Sequence, residues 1–274
     1  PMRAEFVGDC GADPEAQFLR PRDRRHEVTL DRAIAFLAAI GVVARLVERE
    51  VALEEDAPHD LADLPGRADD AALHKQIDYL GFPLSVSETF QQRNTNKSIE
   101  EALTELATIQ DICVKNNKEL VTYISMGFGN PYGDPYSPEH VAESIRDLDQ
   151  MGVKIISFAD TVGTADPTHI AELFSINSKA YPHIEFGMHL HTHPEHLSPK
   201  VLAALKAGCF RFDSAMLGFG GCPMAGDDLV GNLSTEMLIQ YLTENHVPIG
   251  LNLDTLHQAR KISSTIFSKS NLNA

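Results

Sequence analysis

From about residue 76 onward, the chain alternates short apolar runs with longer segments whose apolar residues recur at helical spacing. The apolar runs predict strands at 77–86, 119–129, 153–160, 184–193 and 210–217. The helical spacing predicts helices at 99–116, 137–152, 166–181, 198–209, 234–245 and 251–268. A regular β-α-β-α order is typical of parallel strands joined by crossover helices. The sequence therefore predicts an α/β fold, with a (β/α)₈ TIM barrel as the leading architecture and an open doubly wound sheet as the alternative.

The first third of the chain has a different pattern and is richer in Arg, Ala, Asp and Glu. Here the pattern predicts a helix at 29–41 and strands at 4–9 and 42–50, whereas 64–73 has the composition of a turn and an acidic connection. A complete barrel would need three strands before residue 76, and only these two are predicted. We therefore divide the chain into an atypical region, 1–75, and a β/α barrel region, 76–274. The first region is either an irregular start of the barrel or a separate module.

Composition and charge narrow the classes of partner. The 274 residues carry a formal net charge of −16, which disfavours binding to nucleic acid and to acidic membranes. The 4 cysteines show no paired spacing, no apolar run is long enough to span a bilayer, and no signal pattern begins the chain. These features predict a cytoplasmic protein that holds any anionic substrate through a local positive feature.

The stretch GMHLHTH (187–193) places histidines at alternate positions. Residues two apart on a strand point to the same face, so His189 and His191 would project together at the carboxyl end of a barrel strand. Two imidazoles on one face suit a divalent metal, although alternating histidines can equally end an exposed strand. His193 precedes Pro194 and is interpreted as part of a loop.

The glycine-rich stretch GFGGCPMAGDDLVGN (218–232) surrounds a cysteine. A thiol at Cys222 could exchange a proton near neutral pH, since its reference pKa is about 8.5; an incidental cysteine in a turn is the alternative. The side-chain oxygen of Asn232 could join the two imidazoles around a metal. The position just before a predicted helix also suits Asn232 as a helix cap.

Several motifs in a fixed order carry a resemblance to a known family. HLH (189–191), ADTVGT (159–164), GFGGCPMAG (218–226) and GN (231–232) together resemble the hydroxymethylglutaryl-CoA lyase family of metal-dependent (β/α)₈ lyases and Claisen-type synthases. The resemblance extends over about residues 76–265. It implies cleavage of a 3-hydroxyacyl-CoA thioester with Mg²⁺ or Mn²⁺, in a homodimer. It also implies these site residues: metal ligands His189, His191, Asn232 and Asp23; catalytic residues Cys222, Arg22 and Asp160; substrate contacts Thr161, Gly220 and Gly221.

The chain also departs from the family pattern. The second histidine is followed by Thr192-His193 where the family usually has Asp-Thr, and the only candidate for its first-strand Arg-Asp pair is Arg22-Asp23 in the charged run RPRDRR. Two alternatives stay open beside a hydroxymethylglutaryl-CoA lyase. One is a related Claisen-type synthase or aldolase; the other is an inactive barrel fragment with a foreign N-terminal segment that serves as an interaction protein.

Overall fold

The computed structural model describes residues 64–75, 77–221, 230–249 and 251–270, with side chains described as far as residue 265. The helices are α1 (Leu64–Ala72), α2 (Glu88–Thr95), α3 (Ile99–Lys115), α4 (Pro138–Gln150), α5 (Pro167–Ala180), α6 (Pro194–Lys206), α7 (Thr235–Glu244) and α8 (Leu253–Ser270). The strands are β1 (Tyr79–Ser85), β2 (Glu119–Ser125), β3 (Ile155–Asp160), β4 (Glu185–Leu190) and β5 (Phe212–Asp213). Among the helices described, none combines the length and apolarity that a membrane crossing requires.

The five described strands form one parallel sheet in chain order, β1-β2-β3-β4-β5. Each strand therefore lies beside the next, and the helix between them crosses over the same face. A doubly wound sheet reverses its strand order at a switch point. These strands show no reversal, as expected for successive units of a barrel.

Local capping explains where several helices begin. Ser98 and Glu101 form a capping box at the start of α3, each side chain bonding the other residue's backbone N–H. Asp166 accepts hydrogen bonds from two backbone N–H groups at the start of α5, and proline occupies the first turn of both α4 and α5. These starts agree with the sequence prediction to within a residue or two.

Several elements differ from the prediction, and helix α2 lies where no element was predicted. The segment expected to be a turn and an acidic connection is helix α1, because Ala68 and Ala72 pack into the core from one side of it. Helix α6 begins at Pro194 rather than near residue 198, and Pro199 lies inside it. Pro194 occupies the first turn, where the missing N–H costs no helical hydrogen bond, whereas Pro199 in the second turn leaves the Glu195 carbonyl without its helical donor. Strand β5 has only two residues of the eight predicted.

The sheet separates two layers of side chains. Leu84, Ile156 and Phe158 belong to the main core, which the helices cover. In that core the Phe158 ring stacks on Phe186 at 5.3 Å between centroids. The alternate residues Val121, Tyr123 and Ile155 form a second, smaller cluster on the opposite face. We call these the helix face and the inner face of the sheet.

Candidate metal and active site

His189 projects from the inner face at the carboxyl end of β4. It is in register with Ala159 on β3 and Asp213 on β5, and its ring meets the edge of Tyr123 at 5.4 Å between centroids. Its Nδ1 is buried, has no hydrogen-bond partner among the described residues, and lies 3.7 Å from Asp213 Oδ2. That distance is too long for a hydrogen bond, so this nitrogen remains available to a ligand.

His191 follows β4 and lies beside His189, with 5.4 Å between the ring centroids. It is only 5% exposed, and its Nδ1 also has no hydrogen-bond partner within the described chain. Burial lowers the pKa of the His191 imidazole to about 3, with a further decrease from His189 and a partly opposing increase from a hydrogen bond to the Thr161 backbone. The ring is therefore neutral near neutral pH, the form in which histidine binds metals.

Asn232 is placed directly opposite His191. The two residues form an antiparallel bridge, flanked by hydrogen bonds from Leu233 N to Leu190 O and from Thr192 N to Gly231 O. This is the non-hydrogen-bonded type of antiparallel pair, in which the facing side chains approach most closely. Asn232 Nδ2 donates to the Phe219 carbonyl at 2.8 Å, so Oδ1 is the part of the amide left to accept or ligate.

The glycine-rich loop packs tightly around Asn232. A Cβ on Gly220, whose φ is +93°, would lie 2.7 Å from Asn232 Nδ2, and a Cβ on Gly221 would lie 2.9 Å from the Val230 carbonyl oxygen. Glycine is required where the backbone comes this close to its neighbours. In this structure the two glycines predicted as substrate contacts therefore also shape the backbone that holds Asn232.

Asp160, the last residue of β3, lies on the opposite face of the sheet from His189, and Thr161 follows it directly. Asp160 is in register with Leu190, on the helix face, and its Oδ2 accepts a hydrogen bond of 2.6 Å from Lys200 Nζ. Thr161 Oγ1 accepts a hydrogen bond of 2.8 Å from Met126 N. Both side chains thus join elements around the site within the described structure.

Lys200 was not predicted as a site residue from the sequence. It lies on α6, is 4% exposed and contacts three acceptors around the end of β4. A signal was present, because Lys200 lies on the same helical stripe as the buried residues Leu197, Val201 and Ala204. A lysine on an apolar stripe requires a buried partner.

The donor set fits a divalent cation. Two neighbouring imidazoles with buried, unpartnered Nδ1 atoms and an amide oxygen opposite them are ligands that such metals accept. The described residues contain no cluster of three or more His, Cys, Asp or Glu side chains that could hold a metal without this amide. Arg22, Asp23 and Cys222, predicted for the same site, lie outside the described residues.

Comparison with known proteins places the chain in a family. The family model HMGL-like matches residues 59–262. The chain belongs to the HMGL-like family. This membership agrees with the resemblance carried by the HLH and glycine-rich motifs.

Individual relatives of the HMGL-like chain are lyases. It is 32% identical over 189 residues to the mitochondrial hydroxymethylglutaryl-CoA lyase of Mus musculus, covering 69% of this chain and 57% of that protein. It is 28% identical over 202 residues to the 3-hydroxy-3-isohexenylglutaryl-CoA/hydroxy-methylglutaryl-CoA lyase of Pseudomonas aeruginosa, covering 74% and 67%. The chain therefore spans little more than half the length of the mouse relative.

Solved structures of HMG-CoA lyases support the fold. The lyase of Bacillus subtilis matches with a TM-score of 0.67 at 27% identity, covering 74% of this chain and 67% of that one. The lyase of Pseudomonas aeruginosa matches with a TM-score of 0.64 at 28% identity, covering 72% and 66%. Together with the strand order, these likenesses confirm the predicted α/β barrel fold.

Proposed function

We propose that this protein is a divalent-metal-dependent carbon–carbon lyase that cleaves 3-hydroxy-3-methylglutaryl-CoA, or a similar 3-hydroxyacyl thioester, to acetoacetate and acetyl-CoA. The observation that carries the proposal is the pair of neighbouring imidazoles at His189 and His191, whose buried Nδ1 atoms have no hydrogen-bond partner within the described residues. Membership of the HMGL-like family and the names of the relatives support the reaction class.

His189, His191 and Asn232 would hold a Mg²⁺ or Mn²⁺ ion at the carboxyl end of β4. The ion supplies Lewis-acid stabilisation of negative charge on the substrate oxygens. His191 is suited to this role because its low pKa keeps the imidazole neutral and its Nδ1 has no hydrogen-bond partner within the described residues. Asn232 is suited because its Nδ2 bond to Phe219 holds the amide plane in place.

Three further roles rest on the sequence resemblance. Asp23 is proposed as the fourth ligand and Arg22 as the cation that balances charge on the substrate. Cys222, which follows Gly221 directly, is proposed as the acid that protonates the thioester α-carbon after the carbon–carbon bond breaks. The thioester substrate, the homodimer and the cytoplasmic location are likewise proposals.

The test uses the full chain, with cleavage of 3-hydroxy-3-methylglutaryl-CoA followed through acetoacetate. A chelator should abolish turnover and Mn²⁺ or Mg²⁺ should restore it. His191→Ala should weaken Mn²⁺ binding measured by calorimetry, whereas His183→Ala, at an exposed histidine paired with Asp149, should leave it unchanged. Full activity after chelation, or unaltered Mn²⁺ affinity in His191→Ala, would refute the proposal.

The cysteine needs a separate variant. Cys222→Ser should lower turnover by about 10²–10⁴-fold, the usual contribution of a general acid, while Mn²⁺ affinity and thermal stability stay at the wild-type level. An equal loss of metal affinity would instead assign the cysteine a structural or ligand role. A folded, metal-binding wild type without turnover would favour the interaction-protein alternative.

The acyl group of the thioester substrate needs an experiment of its own. One relative is named for both 3-hydroxy-3-isohexenylglutaryl-CoA and hydroxymethylglutaryl-CoA. Steady-state comparison of both thioesters tests this point, because a shared metal site with a different distal pocket changes kcat/KM for one substrate relative to the other. Cleavage of neither, with formation of a carbon–carbon bond from acetyl-CoA and a 2-oxo acid, would favour the synthase alternative.

A further inference from the structure

Lys200 on α6 is a buried cation whose three hydrogen bonds all go to residues around the candidate metal site. Its Nζ donates to Asp160 Oδ2 at 2.6 Å, to the Gly163 carbonyl at 2.9 Å and to the His191 carbonyl at 3.3 Å. The side chains of Lys200 and Asp160 are 5% and 0% exposed. An ammonium group has three donors, and here each donor has an acceptor.

Both oxygens of the Asp160 carboxylate accept hydrogen bonds. Asp160 Oδ1 accepts a hydrogen bond of 3.1 Å from Ala165 N, in the connection that leads into α5. A buried ion pair is costly unless its remaining donors and acceptors are satisfied. In this pair each ammonium donor and each carboxylate oxygen has a hydrogen-bond partner. The pair therefore joins three segments: the end of β3, the connection after β3, and the end of β4.

The same network holds the main chain of His191 on both sides. His191 N donates to the Asp160 carbonyl at 3.3 Å, and the His191 carbonyl accepts from Lys200. A displacement of Asp160 or Lys200 would therefore move the His191 backbone, and with it the imidazole that the backbone carries.

We propose that Lys200 is a positioning residue, which acts with Asp160 to hold the His191 imidazole in the orientation that binds the metal. This inference rests on the proposed function, because it concerns the ligand role of His191. Asp160 then acts on the site through Lys200 from the helix face, and its carboxylate is not required to touch the substrate.

The experiment removes both charges together, because Lys200→Met alone would leave a buried carboxylate unpaired and could prevent folding. Lys200→Met/Asp160→Asn has no unpaired charge but loses the bond to the His191 carbonyl. Asp160→Asn alone keeps Lys200 and that bond but leaves the buried ammonium without its counter-charge, so its Mn²⁺ affinity is compared only where thermal unfolding shows a folded protein. Lys206→Met is the matched control, since Lys206 is an exposed lysine near the end of the same helix.

The readouts are thermal unfolding, Mn²⁺ titration by calorimetry, and the imidazole ¹⁵N spectrum of the metal-free protein. We expect the double variant to fold and its Mn²⁺ dissociation constant to rise about 10- to 100-fold, the usual effect of losing a residue that orients a metal ligand. Asp160→Asn should lose less affinity than the double variant, and Lys206→Met should match the wild type. The His191 ring signals should shift in the double variant only.

The outcomes separate the two proposals. If the wild type binds no Mn²⁺, the proposed metal site fails. If the wild type binds Mn²⁺ and the folded double variant binds it equally well, the role of Lys200 alone is refuted. Unchanged His191 ring signals in the metal-free double variant would refute that role independently of any metal.

Discussion

Replacing Gly220 with alanine should test whether the glycine-rich loop fixes Asn232 for metal binding. The new Cβ would lie 2.7 Å from Asn232 Nδ2, whereas ordinary van der Waals contact begins at 3.4 Å. The amide or the loop must therefore move by about 0.7 Å, the difference between these two distances. Metal–ligand distances tolerate only about 0.2 Å, so a displacement of this size removes a good ligand position.

The substitution has a second cost that a matched control can isolate. Gly220 has φ +93°, a conformation that costs a side-chain-bearing residue about 1–3 kcal/mol. Gly208, after α6, has φ +94°, and a Cβ added there would meet no heavy atom within 4 Å. Gly208→Ala therefore carries the backbone cost without the contact. Both variants should unfold at lower denaturant concentration than the wild type.

Mn²⁺ titration by calorimetry then separates the two effects. Gly220→Ala should bind Mn²⁺ about 10- to 100-fold more weakly than the wild type, as expected when the support of a metal ligand is lost. Gly208→Ala should retain the wild-type affinity. Equal Mn²⁺ affinity in the two folded variants would show that Asn232 is not a ligand, or that its position does not depend on the loop.

Three further predictions concern stability and thiol reactivity. Ser98→Ala removes the capping box of α3 and should lower the free energy of unfolding by about 1 kcal/mol in a urea titration; an unchanged midpoint would contradict this. Phe158→Ala should cost about 3–5 kcal/mol in the same assay, because its ring is fully buried, whereas Phe210→Ala, at a ring 49% exposed, should cost much less. Similar losses in the two phenylalanine variants would contradict the core assignment. Cys113 and Cys209 should resist alkylation at pH 8 in the native protein and react after denaturation, because burial raises the pKa of both thiols; rapid native labelling of either, found by peptide mapping, would refute this.

The order of strands and helices was predictable because each signal is local. Apolar runs such as Ile155–Asp160 are buried on both faces, and capping residues such as Ser98 and Asp166 identify helix starts without tertiary information. Helix α1 was missed because its core contacts come from two small residues, Ala68 and Ala72, which leave a weak apolar pattern. The start of α6 was missed because the residues before Ser198 were interpreted as a continuation of the preceding strand and loop.

The candidate site was predictable only in part. The period of two along a strand indicated that His189 and His191 lie together, and the structure places them so. The same period places Asp160 and Phe158 on one face of β3. Ala159, which is in register with His189, lies on the other face. The family resemblance implies a catalytic role for Asp160, whereas its ion pair with Lys200, 40 residues later in the chain, could not be predicted from the local sequence.

The two histidines are close in sequence but are held by different parts of the molecule. His189 is fixed by the register of β4 with its neighbouring strands, whereas His191 lies beyond β4 and depends on Asn232 and Lys200. The backbone pairing around His191 does not depend on the departure from the family pattern at Thr192. Its backbone N–H binds the Gly231 carbonyl and its hydroxyl binds the His193 carbonyl, and neither bond needs the carboxylate usual at that position. The departure therefore preserves the backbone pairing that brings Asn232 to His191, and metal affinity should depend more on Lys200 and Gly220 than on the residue at position 192.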